Sequence, residues 1–203
     1  VEGFDSLSGL EPAVTIYGSA RLSPDDELYS QTELIARRLG GLGFSIITGG
    51  GPGVMVAANK GAREAGVTSG GLYIILPVEQ ACNTYATKTV TFHHFFIRKV
   101  MLVKYAIAFV IMPGGLGTLD ELTEVLTLMQ TGKIRPFPVI LFDSEYWKGL
   151  LDWLRQVALG RGFISESDFD LLRVCDNPEE VVEAVQRWYR KQEVFGREAL
   201  FIK

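Results

Sequence analysis

The chain has 203 residues, 47% of them apolar and 22% charged, a balance that suits one soluble globular domain and excludes a disordered chain. Twenty Lys+Arg stand against twenty-four Asp+Glu, for a net charge of −4; no block of like charge marks a nucleic-acid groove. Only Cys82 and Cys175 occur, far apart, which excludes a disulfide framework and a cysteine-ligated zinc site. The longest apolar run, Ala106 to Pro113, is too short to cross a bilayer. No signal peptide opens the chain, so the expected compartment is the cytoplasm.

Taken in order, the chain alternates short apolar strands with longer helical stretches. Ala13 to Tyr17 reads as a buried strand ending at Gly18. Glu27 to Leu42 has apolar residues at helical spacing, and Phe44 to Thr48 is a second strand stopped by three glycines. Val54 to Ala65 is an Ala-rich helix ending at Gly66. Gly71 to Leu76 is a third strand and Val90 to His93 a fourth, followed by a helix from about Phe95 to Tyr105. Ala106 to Met112 is a fifth strand, Leu119 to Gln130 a helix, Pro138 to Phe142 a sixth strand and Trp147 to Leu159 a helix. A last amphipathic helix runs from Pro178 to Lys191, with Asn177 as its N-cap. Strands apolar throughout and joined by helices give a parallel sheet covered on both faces. The expected fold is therefore α/β, a doubly wound, Rossmann-like sheet. The expectation is one nucleotide-binding domain over residues 1–203, with its core at about 13–191 and a tail from 192 to 203.

In such a sheet the loops after the strands share one edge, where ligands bind. Five loops gather there: Gly18 to Arg21, Gly49 to Gly53, Pro77-Val78-Glu79, His94 to Lys99, and Pro113 to Thr118. The sharpest motif is Pro113-Gly114-Gly115-Leu116-Gly117-Thr118-Leu119-Asp120-Glu121. It follows a strand and opens a helix. Glycines admit a ligand close to the main chain, and free N–H groups at a helix start bind phosphate. It lacks the Walker A lysine before Thr118, and Asp120 stands where a dinucleotide fingerprint needs its third glycine. The Gly49 to Gly53 turn also fails that fingerprint. Its Gly50 and Gly51 either contact the ribose or phosphate or form a tight turn. Ser19 offers a hydroxyl to a ligand.

Glu121 lies one turn inside the helix. The helix dipole favours its ionised form by about 0.3–1 kcal/mol. A phosphate roughly 6 Å away opposes it by about 3 kcal/mol, so a cation is needed, and one arginine at about 4 Å returns about 4 kcal/mol. Arg98 and Lys99 lie on the same sheet edge. His93 and His94 are adjacent, which sends strand side chains to opposite faces and argues for packing or capping over a shared metal. The Phe95 to Val103 helix is apolar nearly all round, so it is either fully buried or covered by a second subunit. A homodimer using it is expected.

Arg98-Lys99 followed by Pro-Gly-Gly-x-Gly-Thr-x-x-Glu resembles the signature of the Lonely guy (LOG) family, once labelled possible lysine decarboxylases. The likeness covers about Ala13 to Phe142 and is carried by the combination of both motifs. It implies a Rossmann-like fold, usually dimeric, with larger assemblies in some members. It also implies hydrolysis of the N-glycosidic bond of adenine-type nucleoside 5′-monophosphates to free base and ribose 5-phosphate, without metal or organic cofactor. The resemblance makes Arg98 and Glu121 the catalytic pair and gives the phosphate to Gly114, Gly115, Leu116, Gly117, Thr118, Leu119 and Asp120. It adds Glu79, Lys99 and Thr127 to the nucleotide site. Leu116 stands where a tyrosine is common and Asp120 where glutamate is frequent. These departures bear on base preference and leave the reacting pair intact. A decarboxylase would need a lysine in Schiff base with pyridoxal phosphate, and no lysine stands out for it. A non-catalytic nucleotide sensor and an NAD(P)-dependent oxidoreductase are the rival readings; the latter asks for an acidic residue where the second strand ends in Thr48-Gly49.

Overall fold

A computed structural model describes residues 9–75 and 83–195. The elements in chain order are β1 (Ala13–Tyr17), α1 (Glu27–Gly41), β2 (Ser45–Thr48), α2 (Val54–Glu64), β3 (Ser69–Ile74), β4 (Lys88–Phe92), α3 (Phe95–Lys104) and β5 (Ala106–Ile111). Next come α4 (Leu116–Gln130), β6 (Val139–Phe142), α5 (Ser144–Trp153), a π-helical turn (Leu154–Leu159), a 3-10 helix (Glu166–Leu171), β7 (Leu172–Cys175) and α6 (Pro178–Phe195). Seven strands form one parallel sheet in the order β4-β3-β2-β1-β5-β6-β7. The doubly wound α/β architecture expected from the strand pattern is the one observed.

The chain leaves β1 toward β2 in one direction and returns on its other side with β5. Their carboxyl ends thus form the switch-point crevice where open α/β sheets take ligands. Both strands are buried at every residue. Neighbouring side chains of β1 go to opposite faces: Val14 and Ile16 join Ile35, Leu39 and Val54 in one core, Ala13 and Tyr17 join Leu102, Phe109 and Leu122 in the other. The Thr15 hydroxyl donates to the Leu102 carbonyl at 2.8 Å. That bond pins α3 to the sheet one turn beyond Arg98. Asn177 caps α6 as expected, its side chain accepting from the Glu180 amide at 3.0 Å.

Several boundaries differ for physical reasons. α4 begins at Leu116, three residues earlier than expected, because Gly117 sits in the first turn, where backbone groups need no intrahelical partner. α5 begins at Ser144, since Asp143 caps it by accepting from Tyr146, and it passes into the π-helical turn. β7 was not expected: Leu-Arg-Val-Cys is a four-residue edge strand with little hydrophobic signal. His93 and His94 lie past the end of β4, both exposed, and His94 makes no side-chain cap to α3. His94 packs on the surface by stacking on Phe96, with centroids 5.6 Å apart and planes 18° off parallel, and does not cap. No cluster of metal-ligating side chains occurs among the described residues, and none of their helices is long and apolar enough to cross a membrane. α3 is not fully buried either: Met101, Leu102 and Val103 face the core, while Phe95, Phe96, Ile97 and Val100 are exposed.

Candidate active site

Three loops are stitched together at the ends of β1, β2 and β5. The Ser19 amide donates to the Pro113 carbonyl, and the Ser19 carbonyl accepts from Val54 at the start of α2, both at 3.0 Å. Gly114 permits this approach. A Cβ there would lie 2.1 Å from the Thr118 hydroxyl and 2.8 Å from the Ser19 nitrogen. The Tyr146 hydroxyl holds the Gly114 carbonyl at 2.6 Å. Gly115 is the N-cap of α4 and offers no side-chain acceptor, and the first turn carries no acidic residue. Thr118 donates its amide to the Gly115 carbonyl at 3.0 Å, and the Leu116 and Gly117 amides before it are left for an outside acceptor, with the positive end of the dipole behind them. A Cβ at Gly115 or Gly117 would meet nothing within 4 Å, so packing does not require glycine there; its absence keeps the approach open.

This helix start forms one wall of a cavity of about 650 Å³. Ser19, Arg21 and Gly49 line it from the β1 and β2 loops, and Arg98 and Glu121 from α3 and α4. Met55, Ile74, Phe95 and Leu102 give it an apolar side. Glu121 Oε1 lies 3.5 Å from Arg98 Nη2, with the two side chains only 7% and 15% exposed. Burial raises the Glu121 carboxyl to about 7, against the lowering charges of Arg98 and Lys99; Glu124 and Asp120 push it further up. A carboxyl that ionises near neutral pH is suited to exchanging protons with a substrate or water.

Lys99, next on α3, turns away from Arg98 and bonds Asp120 at 2.8 Å and reaches Glu124 at 3.4 Å. Burial pulls its ammonium down, but the Asp120 bond and the charges of Glu121, Glu124 and Asp120 outweigh this and hold it protonated. Lys99 and Asp120 therefore brace the start of α4 from outside the cavity.

Of the residues expected to hold a ligand, Ser19, Gly115, Leu116, Gly117 and Thr118 line the cavity with Arg98 and Glu121. Gly114 lies beneath it as the packing point already described. Leu119 turns into the hydrophobic core. Gly50 and Gly51 do not line the cavity; their amides are consumed by the Thr48 hydroxyl at 3.0 Å and the Met55 sulfur at 3.3 Å. Both glycines sit in a tight turn, and Gly49 lines the cavity instead. Thr127 lines a separate groove with Leu126, Gln130 and Phe169. Six residues past Glu121 it is rotated about 240° round the helix, facing away from the pair. Glu79 lies outside the described residues. Tyr17, Arg21 and Glu124 were missed. Tyr17 closes a strand that reads only as core, Arg21 follows Ser19 in the same loop, and Glu124 lies one turn beyond Glu121.

Residues 55–185 match the family described as possible lysine decarboxylase. A cytokinin riboside 5′-monophosphate phosphoribohydrolase of Arabidopsis thaliana is 31% identical over 80% of this chain and 74% of its own length. Its namesake in Rhodococcoides fascians is 30% identical over 61% of this chain and 65% of its own; that of Mycobacterium marinum is 29% identical over 78% and 85%. The fold is shared with a molybdenum cofactor binding protein of Rippkaea orientalis (TM-score 0.63, 20% identity, 86% of this chain and 94% of that one). It is shared too with the molybdenum cofactor carrier protein of Chlamydomonas reinhardtii (TM-score 0.62, 20% identity, 88% and 98%). On the strength of the sequence matches, the chain belongs to the possible lysine decarboxylase family, the same Lonely guy (LOG) family whose motifs it carries.

Proposed function

We propose that the protein hydrolyses the N-glycosidic bond of adenine-type nucleoside 5′-monophosphates, either AMP or a cytokinin riboside 5′-monophosphate, releasing the base and ribose 5-phosphate. The observation that carries this is the placement of the buried Arg98–Glu121 pair in the same cavity as the uncapped start of α4. Glu121 lies five residues inside the helix, about 7.5 Å along its axis, a separation on the scale of ribose 5-phosphate. A phosphate on the first-turn amides then brings the anomeric carbon toward the carboxylate. As the bond to the base breaks, positive charge develops on the sugar. Ionised Glu121 stabilises that charge or takes a proton from the attacking water. The water oxygen bonds to the anomeric carbon, and the base departs with the bonding electrons and takes up the proton that the water gives up. Arg98 keeps Glu121 ionised and oriented. The phosphate contributes remote binding energy to orientation. The apolar wall of Met55, Ile74, Phe95 and Leu102 faces the space left for the base.

The names of the relatives support the same reaction class. The decarboxylation in the family description asks for an unprotonated amine to form a Schiff base, whereas Lys99 beside the pair is held charged. We assign the exposed apolar face of α3, with Phe96 67% and Val100 54% exposed, to a second copy of the chain, which sedimentation velocity reads directly. The reaction is tested by incubation with AMP, isopentenyladenosine monophosphate and the corresponding nucleosides, followed by chromatography for free base. Base released from nucleotides and far more slowly from nucleosides is the expected result. Binding without release would make the protein a sensor, and equal rates on nucleosides would remove the phosphate from the mechanism.

A further inference from the structure

Among the described residues, four buried polar side-chain atoms around the reacting pair have no hydrogen-bond partner: the Tyr17 hydroxyl, Arg98 Nε, Glu121 Oε2 and Glu124 Oε2. Arg98 and Glu121 face the cavity, where a ligand can meet them. Tyr17 lines that cavity too, with its hydroxyl unpaired beside the pair, and Glu124 Oε2 has the Lys99 ammonium at 3.4 Å without a hydrogen bond. Tyr17 ends β1 opposite Ile111 of β5. Its ring stacks on Phe109 with centroids 6.2 Å apart and planes 5° off parallel. A phenylalanine would pack there equally well, so the hydroxyl adds only the desolvation cost of an unpaired buried group unless it acts on a neighbour. The charges it feels are, in order, those of Glu121, Glu124 and Arg98. Glu124 shares Lys99 with Asp120, which holds the shorter contact. Part of the Glu124 charge is therefore left to act on Glu121.

We propose that Tyr17 and Glu124 are positioning residues that act on Glu121 in opposite senses: the Tyr17 hydroxyl donates to the free oxygen of Glu121 as that carboxyl ionises, while Glu124 sets a second negative charge against it. The other charged groups facing Glu121 among the described residues are Arg98 and Lys99 from α3, Asp120 from α4 itself and, from the loop after β1 that shares the cavity, Arg21. Together these determine the pH at which the carboxylate becomes available. This rests on the hydrolase reading only for its kinetic arm.

The test uses Tyr17→Phe, which keeps the ring stack and deletes the donor, and Glu124→Gln, which keeps the shape and deletes the charge. A donor to an ionised carboxylate favours the charged form, and a like charge opposes it. In the kcat–pH profile with AMP, Tyr17→Phe should move the acid limb up by roughly one unit and Glu124→Gln should move it down by roughly one unit. For a limb near neutrality, the upward shift leaves about fivefold less ionised Glu121 at pH 7, while KM stays within about threefold because neither group holds the phosphate. The second readout is the ¹³C-carboxyl titration of glutamate-labelled protein without substrate. The Glu121 signal, identified by its loss in Glu121→Gln, should shift in the same two directions. If both variants are merely slower at every pH, or both titrations move the same way or stay still, the proposal is overturned. If native protein releases no base, the hydrolase reading fails and the carboxyl titration still decides the roles of Tyr17 and Glu124. Should Glu124→Gln fail to fold, Tyr17→Phe alone decides the sign of its arm.

Discussion

The protein has two glycine-rich turns that look alike in sequence and differ in what their glycines do. In the turn after β2, Gly50 and Gly53 have positive φ of 76° and 66°, and a Cβ on Gly53 would lie 2.3 Å from the Ser19 carbonyl oxygen. The Gly50 and Gly51 amides are spent on Thr48 and Met55. Behind them Asn59 bonds Thr48, Ser69, Gly70 and Asn83 in a buried network. In the turn after β5 only Gly114 is forced by contact, and the amides that follow have no side-chain cap. One turn uses glycine to close on itself and the other to stay open. The glycine count cannot distinguish them, whereas an account of where each N–H goes does.

The largest expected effect lies on the open side. Glu121→Gln keeps the shape of the carboxyl and removes its proton chemistry, so kcat should fall about 10³-fold. Nucleotide affinity by calorimetry should stay within a few-fold, since the phosphate amides are untouched. Retained full turnover would remove Glu121 from the chemistry. The same residue should leave a mark on stability. Its folded-state carboxyl titrates at about 7 against an ordinary 4.5, so between those values the folded protein keeps a proton that the unfolded chain has lost. Stability contributed this way is present below about pH 4.5 and lost as pH rises through 7, by about 3 kcal/mol. Urea melts at pH 5 and pH 8 should show that fall in the native protein and its absence in Glu121→Gln.

Gly114→Ala probes the open turn through its one constrained glycine. The added methyl drives Thr118 and Ser19 apart, and a displacement near 1 Å costs about 10²-fold in a positioned site. Loss of nucleotide affinity with little change in melting temperature is the expected pattern, and unchanged affinity would break the contrast. Asn59→Ala makes the reciprocal cut on the closed side. It strands partners in the buried network and should destabilise the fold by about 2 kcal/mol, while affinity in the folded protein holds.

The sheet was legible because β1, β5 and β6 are apolar at nearly every position, a pattern that only a doubly covered parallel sheet explains. The Arg98–Glu121 pairing was legible because motif and topology bring α3 and α4 to one edge. What each side of α4 meets was not. Glu124, three residues past Glu121, shares its side of the helix and Thr127, six past, does not, but only the packing of α4 shows that Glu124 reaches Lys99 and that Thr127 lines another groove. Tyr17 was hidden for a related reason: an aromatic residue ending a buried strand reads as core, and its partners are about a hundred residues away. β7 has too few buried positions for any periodicity to show.

The smallest expected effect makes the strictest test of the contrast. At Gly51 a Cβ would meet the Met55 methyl at 2.8 Å and its sulfur at 3.4 Å. Both belong to the far end of a flexible side chain, which can turn aside at little cost. The φ of Gly51 is not in the left-handed region, so alanine brings no backbone strain there. Gly51→Ala should therefore leave nucleotide affinity and turnover within about threefold of native and stability within about 1 kcal/mol. If affinity instead fell as far as in Gly114→Ala, the Gly51 amide would have to leave Met55 for the phosphate on binding, and the two turns would clasp the ligand together.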